Sequence, residues 1–125
     1  MARVGLFDAP SLLGEDDVRT MSSARLVPFY LMASYAYYRL NDNFMEDSAF
    51  DLLCSRLYLE WRRCQHPHKY LVDKESLTAT TGYAINFAAL PLIVQHSAQS
   101  LLEISRRGDI RKAITPTKPK RVQLL

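Results

Sequence analysis

The sequence predicts a small, mostly α-helical domain with three main helices. The chain has 125 residues, 48% of them hydrophobic and 23% charged, which is typical of one compact globular domain. Between residues 50 and 64, apolar side chains recur every three or four positions, as they do along one face of a helix. Turn-forming residues divide the chain into segments of helical length, namely Asn41-Asp42-Asn43, Pro67 and Gly108.

The first predicted unit is an irregular N-terminal arm over residues 1–20, because Gly5, Pro10 and Gly14 interrupt its short apolar pieces. The helical domain follows over residues 21–107. Its first helix is expected to include Phe29 to about Leu40. Ser22 or Ser23 is one candidate N-cap, although Pro28 is tolerated better in a first turn than six residues inside a helix.

The second helix carries the clearest pattern. We expect Asp47 to be its N-cap and Pro67 to mark its end. A third helix is expected to begin between residues 87 and 91 and to run to about Arg106, with Gly108 as its terminator. Its apolar face comprises Leu90, Val94, Leu101 and Ile104.

The two cysteines are expected to be free thiols. Ten residues of one helix would place Cys54 and Cys64 roughly 15 Å apart, beyond the reach of a disulfide. Free thiols are typical of a reducing intracellular compartment.

The charge is strongly segregated. Residues 106–125 hold seven basic side chains and one acid, whereas the first 105 residues hold nine basic and twelve acidic ones. We therefore predict an extended basic C-terminal arm over residues 108–125 that contacts a negatively charged partner. The predicted contact residues are Arg111, Lys112, Lys118, Lys120, Arg121, Leu124 and Leu125. The apolar end favours a protein partner; nucleic acid is the alternative, although the arm has no aromatic residue to stack on bases.

Several function classes are disfavoured. No apolar run approaches the ~20 residues that span a bilayer, so we expect no membrane contact. The sequence also lacks a glycine-rich phosphate loop and a recognisable nucleophile arrangement, which predicts a protein that is not an enzyme and needs no cofactor. Cys64, His66 and His68 form a C-x-H-x-H cluster that lacks the second pair of ligands a zinc site requires, so no metal is expected there.

One segment carries a specific motif. Residues 35–57, YAYYRLNDNFMEDSAFDLLCSRL, pair Tyr37-Tyr38 at the end of one helix with D-x-x-F-D-x-L at the start of the next, and His66-Pro67 follows. This hairpin resembles the N-terminal helical subdomain of bacterial NAD-dependent DNA ligases, which clasps the nicotinamide mononucleotide half of NAD. The resemblance implies a ligand site at Tyr37, Tyr38, Asp47, Phe50 and Asp51.

The chain also departs from that family. Phe50 stands where the family has a tyrosine, and the linker lacks the family's Asp-x-Pro. No Lys-x-Asp-Gly occurs in the sequence, so there is no lysine to take up AMP and ligase activity is excluded. A purely structural alternative accounts for the same residues: Asp47 and Asp51 stabilise a helix N-terminus, and Tyr37 packs on Phe50.

Three hypotheses follow, one of which is the nucleic-acid binding through the basic arm given above. The first is a non-enzymatic interaction module whose arms anchor it among other protein subunits of an oligomeric assembly. Its architecture is similar to that of the head-to-tail adaptor proteins of tailed bacteriophages, which implies the cytoplasm of a bacterial host and incorporation in a virion. The second is a small protein that binds nicotinamide nucleotides through the hairpin without chemistry.

Overall fold

The computed structural model describes residues 11–114. In this range five α-helices follow one another: α1 Glu15–Arg19, α2 Leu26–Leu40, α3 Asp47–Leu59, α4 Leu92–Arg106 and α5 Ile110–Ile114. Short 3₁₀ turns connect them at Ser23–Arg25, Lys69–Leu71, Lys74–Ala79 and Phe87–Ala89. The prediction of a small, mostly α-helical domain is confirmed.

Helix α2 is the central element, and it packs against both α3 and α4. Most of its side chains are buried, including Leu26, Tyr30 and Leu31. It begins at Leu26, between the earlier start and Phe29, with Pro28 in its first turn, where the missing amide proton costs nothing. It ends where Asn41 adopts a left-handed conformation with φ of 53°, as the turn-forming sequence predicts.

Helix α3 differs from its prediction at both ends. Glu46 is the N-cap, and Asp47 is the first helical residue. The helix stops at Leu59 because the Glu60 backbone leaves the helical conformation, so Cys64 lies beyond the helix, directly after a turn at residues 60–63. The buried face nevertheless continues, since Leu57 and Cys64 both lie in the core.

The end of α3 is held by a polar network around Glu60. The Arg56 guanidinium donates two hydrogen bonds to the Glu60 carboxylate, Nε to Oε2 at 2.8 Å and Nη2 to Oε1 at 2.9 Å. The Ser23 hydroxyl donates a third, at 2.6 Å. The hydrogen bonds from Arg56 and then from Ser23 lower the pKa of Glu60 to about 2. This network fixes α3 against the chain that leads into α2.

The low pKa of Glu60 predicts acid sensitivity. A carboxyl whose pKa is depressed by folding stabilises the native state above its unfolded pKa, and that stabilisation disappears as protons bind. We therefore expect the free energy of unfolding to fall as the pH drops from about 4.5 towards 2. Urea titrations across this range check the prediction. Glu60→Gln should be less stable than wild type at pH 7 and show a flatter pH dependence; an unchanged slope would contradict this role for Glu60.

Part of the predicted N-terminal arm belongs to the folded body. Leu13 pairs with Met45 in an isolated parallel bridge, in which its amide donates to the Phe44 carbonyl at 2.9 Å and its carbonyl accepts from the Glu46 amide at 2.8 Å. Helix α1 follows and packs on α3, with Val18 fully buried. The prediction of an irregular arm is wrong from Glu15 to Arg19. Burial of Val18 stabilises a helix there, whereas Pro10 and Gly14 in the preceding sequence favour irregular structure.

The C-terminal side is also partly folded. Helix α4 ends at Arg106 as predicted, and Gly108, with φ of 81°, donates its amide to the Ser105 carbonyl at 3.0 Å. The prediction of an extended arm is wrong for residues 110–114, which form α5 with Ile110 fully buried. The remainder of the predicted arm, residues 115–125, lies outside the described residues.

Both cysteines are buried free thiols. Burial raises the pKa of the Cys54 thiol to about 12 and also raises that of Cys64, so both favour the unreactive protonated form. Among residues 11–114, no helix is both long and apolar enough to cross a membrane.

Candidate functional site

A cavity of about 360 Å³ lies between the C-terminal half of α2 and the first turns of α3. The linker between the two helices and residue 80 complete its wall. The residues that line it are Ala33, Ser34, Tyr37, Tyr38, Asn43, Phe44, Met45, Asp47, Phe50, Asp51 and Thr80. All five hairpin residues singled out from the sequence are among them.

Helical spacing explains why these side chains converge. Asp47, Phe50 and Asp51 stand at positions i, i+3 and i+4 of α3 and therefore share one face. On α2, Ser34 and Tyr37 are three residues apart and share the opposing face. The linker residues Phe44 and Met45 are buried and held by the bridge to Leu13, so the wall between the helices is fixed.

Aromatic rings form much of the cavity wall. Phe50 stacks on Tyr30 of α2, with ring centroids 5.8 Å apart and planes inclined by 16°. The rings of Tyr37 and Tyr38 meet edge to face at 4.9 Å. The ring contact proposed above between Tyr37 and Phe50 is therefore replaced by one between Tyr30 and Phe50, because Tyr30 lies closer to the core.

Two tyrosines hold the segment that covers the cavity from the other side. The Tyr30 hydroxyl donates to the Thr81 carbonyl at 2.7 Å, and the Tyr38 hydroxyl shares a hydrogen bond with Thr81 Oγ1 at 2.7 Å. Burial raises the pKa of Tyr30, which keeps its phenol protonated as the donor of this bond. These bonds place Thr80 at the cavity and Gly82 against α2.

Several groups in the cavity wall are available to a ligand. Tyr37 is 59% exposed and Tyr38 39%, which is unusual for large aromatic side chains beside a cavity. Asp47 and Asp51 are also exposed. Ser34 is only 1% exposed, and its hydroxyl oxygen has no hydrogen-bond partner among the described residues. Buried hydroxyls normally have a partner, but the Ser34 oxygen is covered by Gly82, so a bound molecule reaches it only if this contact opens.

Sequence reasoning missed Ser34, Asn43 and Thr80 as cavity residues. Ser34 lies within an apolar helix, and a serine there carries no recognisable pattern. Thr80 adopts a left-handed conformation with φ of 52°, which is rare for a β-branched residue and cannot be inferred from its neighbours in sequence.

The predicted partner-binding residues fall into two groups. Arg111 lies in α5, where its Nε donates to Asp17 Oδ2 at 3.0 Å and its Nη2 to the Leu12 carbonyl at 3.1 Å. Arg111 thus joins α5 to the N-terminal side of the body, while Lys112 is exposed. The other five predicted contacts lie outside the described residues: Lys118, Lys120, Arg121, Leu124 and Leu125.

Two histidines in the segment that follows α3 interact with each other. The rings of His66 and His68 are 5.2 Å apart, and His66 Nδ1 accepts a hydrogen bond from the His68 amide at 3.1 Å. Burial, and then the neighbouring His68, lower the pKa of His66. Within residues 11–114, no three His, Cys, Asp or Glu side chains are grouped so that they could hold a metal ion.

Comparison with known proteins adds no assignment. No protein-family model, no curated protein and no solved structure matches the chain. The resemblance of the hairpin to NAD-dependent DNA ligases therefore stays a prediction from the sequence motif.

Proposed function

We propose that this protein binds a small molecule of the nicotinamide nucleoside and nucleotide class in the cavity between α2 and α3, without transforming it. One observation carries the proposal. Tyr37, Tyr38, Asp47, Phe50 and Asp51, selected from a sequence motif alone, converge on a single cavity.

The chemistry of the wall suits such a ligand. A nicotinamide ring is flat and, in its nucleosides, positively charged, so it is attracted to the faces of tyrosine and phenylalanine. The carboxylates of Asp47 and Asp51 can accept hydrogen bonds from ribose hydroxyls, which are charge-assisted and correspondingly strong. A volume of about 360 Å³ is at the lower end of the range for small-molecule sites.

Calorimetric titration of nicotinamide mononucleotide and NAD into the full chain tests this function. We expect measurable binding, and we expect Asp51→Asn to weaken it at least tenfold, since a tenfold loss corresponds to about 1.4 kcal/mol, within the range for one charge-assisted hydrogen bond. Far-ultraviolet circular dichroism should show that helix content is unchanged.

Asp109→Asn is the matched control, because Asp109 is an exposed carboxylate outside the cavity, at the start of α5. It should bind ligand like the wild type. If Asp51→Asn and Asp109→Asn bind equally well, the carboxylate of Asp51 stabilises only its helix, and the proposed site is wrong.

A second function rests on the charge distribution. We propose that the basic C-terminal region anchors the protein to acidic surfaces of other subunits in an assembly such as a virion. Arg106, Arg107 and Lys112 are exposed at the end of α4 and in α5, directly before the basic residues of the terminal segment. Nucleic acid remains the alternative partner, for which affinity would fall steeply with salt concentration.

Truncation tests the second function, and the fold dictates where to cut. Removing residues 108–125 would delete Ile110, which is fully buried, and would remove the hydrogen bond from Arg25 to the Ile114 carbonyl. Removing residues 115–125 spares both. We expect the 1–114 chain to keep cooperative thermal unfolding. We also expect it to lose self-association, measured by light scattering, and to lose the partner subunits that co-purify with the full chain. Assembly of the 1–114 chain at wild-type strength would contradict an anchoring role.

A further inference from the structure

We infer that the cavity between α2 and α3 selects a cationic, unphosphorylated nucleoside, of which nicotinamide riboside is the accessible example, over its 5′-phosphate. This inference rests on the proposed function and concerns which member of the ligand class is preferred. It follows from the signs of the charges around the cavity.

The charged side chains in the described wall are both acidic. Asp47 and Asp51 line the cavity, and none of the lining residues within 11–114 is lysine, arginine or histidine. Glu46, which immediately precedes α3, does not line the cavity, because its carboxylate lies beside Gly14 in a separate surface pocket that also contains Arg111. A phosphate entering the cavity would approach Asp47 and Asp51, and no cation among the lining residues of the described range would offset the repulsion.

The basic residues close in sequence to the cavity lining contact other groups, and Arg56 is hydrogen-bonded to Glu60. The Arg39 guanidinium lies over the Phe87 ring, 5.9 Å from its centroid. The Lys74 ammonium lies over the Tyr58 ring, 5.1 Å from its centroid, and also 5.9 Å from that of Trp61. Neither Arg39 nor Lys74 lines the cavity.

Within residues 11–114, the start of α3 is the feature of the cavity that could attract a phosphate, because the first amides of a helix favour anions. The first helical residue is Asp47, so a carboxylate already stands in the first turn. Its charge opposes the partial positive charge of the helix terminus, which is equivalent to only about half an elementary charge. The helix start therefore does not reverse the preference.

A cationic ligand, in contrast, would meet aromatic rings and carboxylates, both of which attract positive charge. The partly exposed rings of Tyr37 and Tyr38 attract a positively charged ring, and the two exposed aspartates add electrostatic attraction in a partly enclosed site. The unpartnered Ser34 hydroxyl is covered by Gly82, so it adds a hydrogen bond to the ring only if this contact opens. Repulsion of the phosphate and attraction of the cation act in the same direction, which is how binding sites achieve discrimination.

Parallel calorimetric titrations of the full chain with nicotinamide riboside, nicotinamide mononucleotide and adenosine test the inference. We expect the riboside to bind at least tenfold more tightly than the mononucleotide, and adenosine, a neutral nucleoside, to bind more weakly than the riboside. Raising the salt concentration should narrow the difference between riboside and mononucleotide, since it screens exposed charges.

The double variant Asp47→Asn, Asp51→Asn should bring the affinities for riboside and mononucleotide to within threefold of each other, while Asp109→Asn keeps the wild-type ratio. The ratio of the two affinities in the wild-type protein tests the inference even if the double variant does not fold. Mononucleotide binding as tight as riboside binding, or tighter, overturns the inference and leaves the proposed function standing. Absence of binding by all three ligands overturns both.

Discussion

Replacing Arg56 by alanine is expected to lower the free energy of unfolding by about 3 kcal/mol, because one guanidinium joins three segments of the chain. Besides its two bonds to Glu60, Arg56 donates through Nη1 to the Val18 carbonyl at 2.9 Å and to the Met21 carbonyl at 2.6 Å. The side chain is only 19% exposed, so water replaces few of these bonds when it is removed. Two backbone carbonyls and one carboxylate then lose a charged donor, although Glu60 keeps the bond from Ser23 and the Val18 carbonyl keeps the one from the Met21 amide.

Urea unfolding at pH 7 measures this effect. Arg62→Ala is the matched control, since Arg62 is exposed and lies six residues further along the chain, beyond the end of α3. This substitution should lower the free energy of unfolding by less than about 0.5 kcal/mol. If the two variants are destabilised equally, the hydrogen bonds of Arg56 contribute no more than an ordinary surface arginine, and this explanation of how α3 is held fails.

Gly82→Ala is expected to destabilise the protein by about 2–3 kcal/mol, within the range for overpacking a buried site. A Cβ atom at this position would stand 2.1 Å from Ser34 Oγ and 2.5 Å from Ser34 Cβ. Rotation of the Ser34 hydroxyl relieves the first contact but not the second, so the backbone near Thr81 must move. Because Thr81 is hydrogen-bonded to both Tyr30 and Tyr38, that movement also disturbs the cavity.

Gly14→Ala provides the comparison. A Cβ there would approach Glu46 Oε1 no closer than 3.4 Å, which is ordinary van der Waals contact. Gly14→Ala should therefore change the free energy of unfolding by less than about 0.5 kcal/mol. Thermal and urea unfolding of both variants give the answer, and a Gly82→Ala protein as stable as Gly14→Ala would show that α2 and the segment around Gly82 are not closely packed.

The sequence was sufficient for features governed by local spacing. The ends of α2 and α4 follow from Asn41 and Gly108, whose preference for left-handed backbone is intrinsic. The convergence of Tyr37, Asp47 and Asp51 follows from helical periodicity across a short linker. Such features need no knowledge of distant parts of the chain.

Features that depend on distant contacts were mispredicted. The apolar stripe extends to Cys64, yet α3 stops at Leu59, where Glu60 accepts hydrogen bonds from Ser23, 37 residues away, as well as from Arg56. Helix α5 likewise depends on burial of Ile110. Ser34 joins the cavity because Gly82 and Thr80 return to α2, a path that no local pattern records.

The two ends of the described chain are tied together across the body. The Ser11 amide donates to the Ser105 carbonyl at 2.9 Å, and the Ser105 hydroxyl donates to the Ser11 carbonyl at 2.6 Å. These partners are 94 positions apart, so their contact closes a long loop, at an entropic cost that rises only slowly with loop length. Residues 11–13 therefore hold the α2–α3 linker through the bridge from Leu13 to Met45 and hold α4 through Ser11, so one short segment supports both the cavity wall and α4.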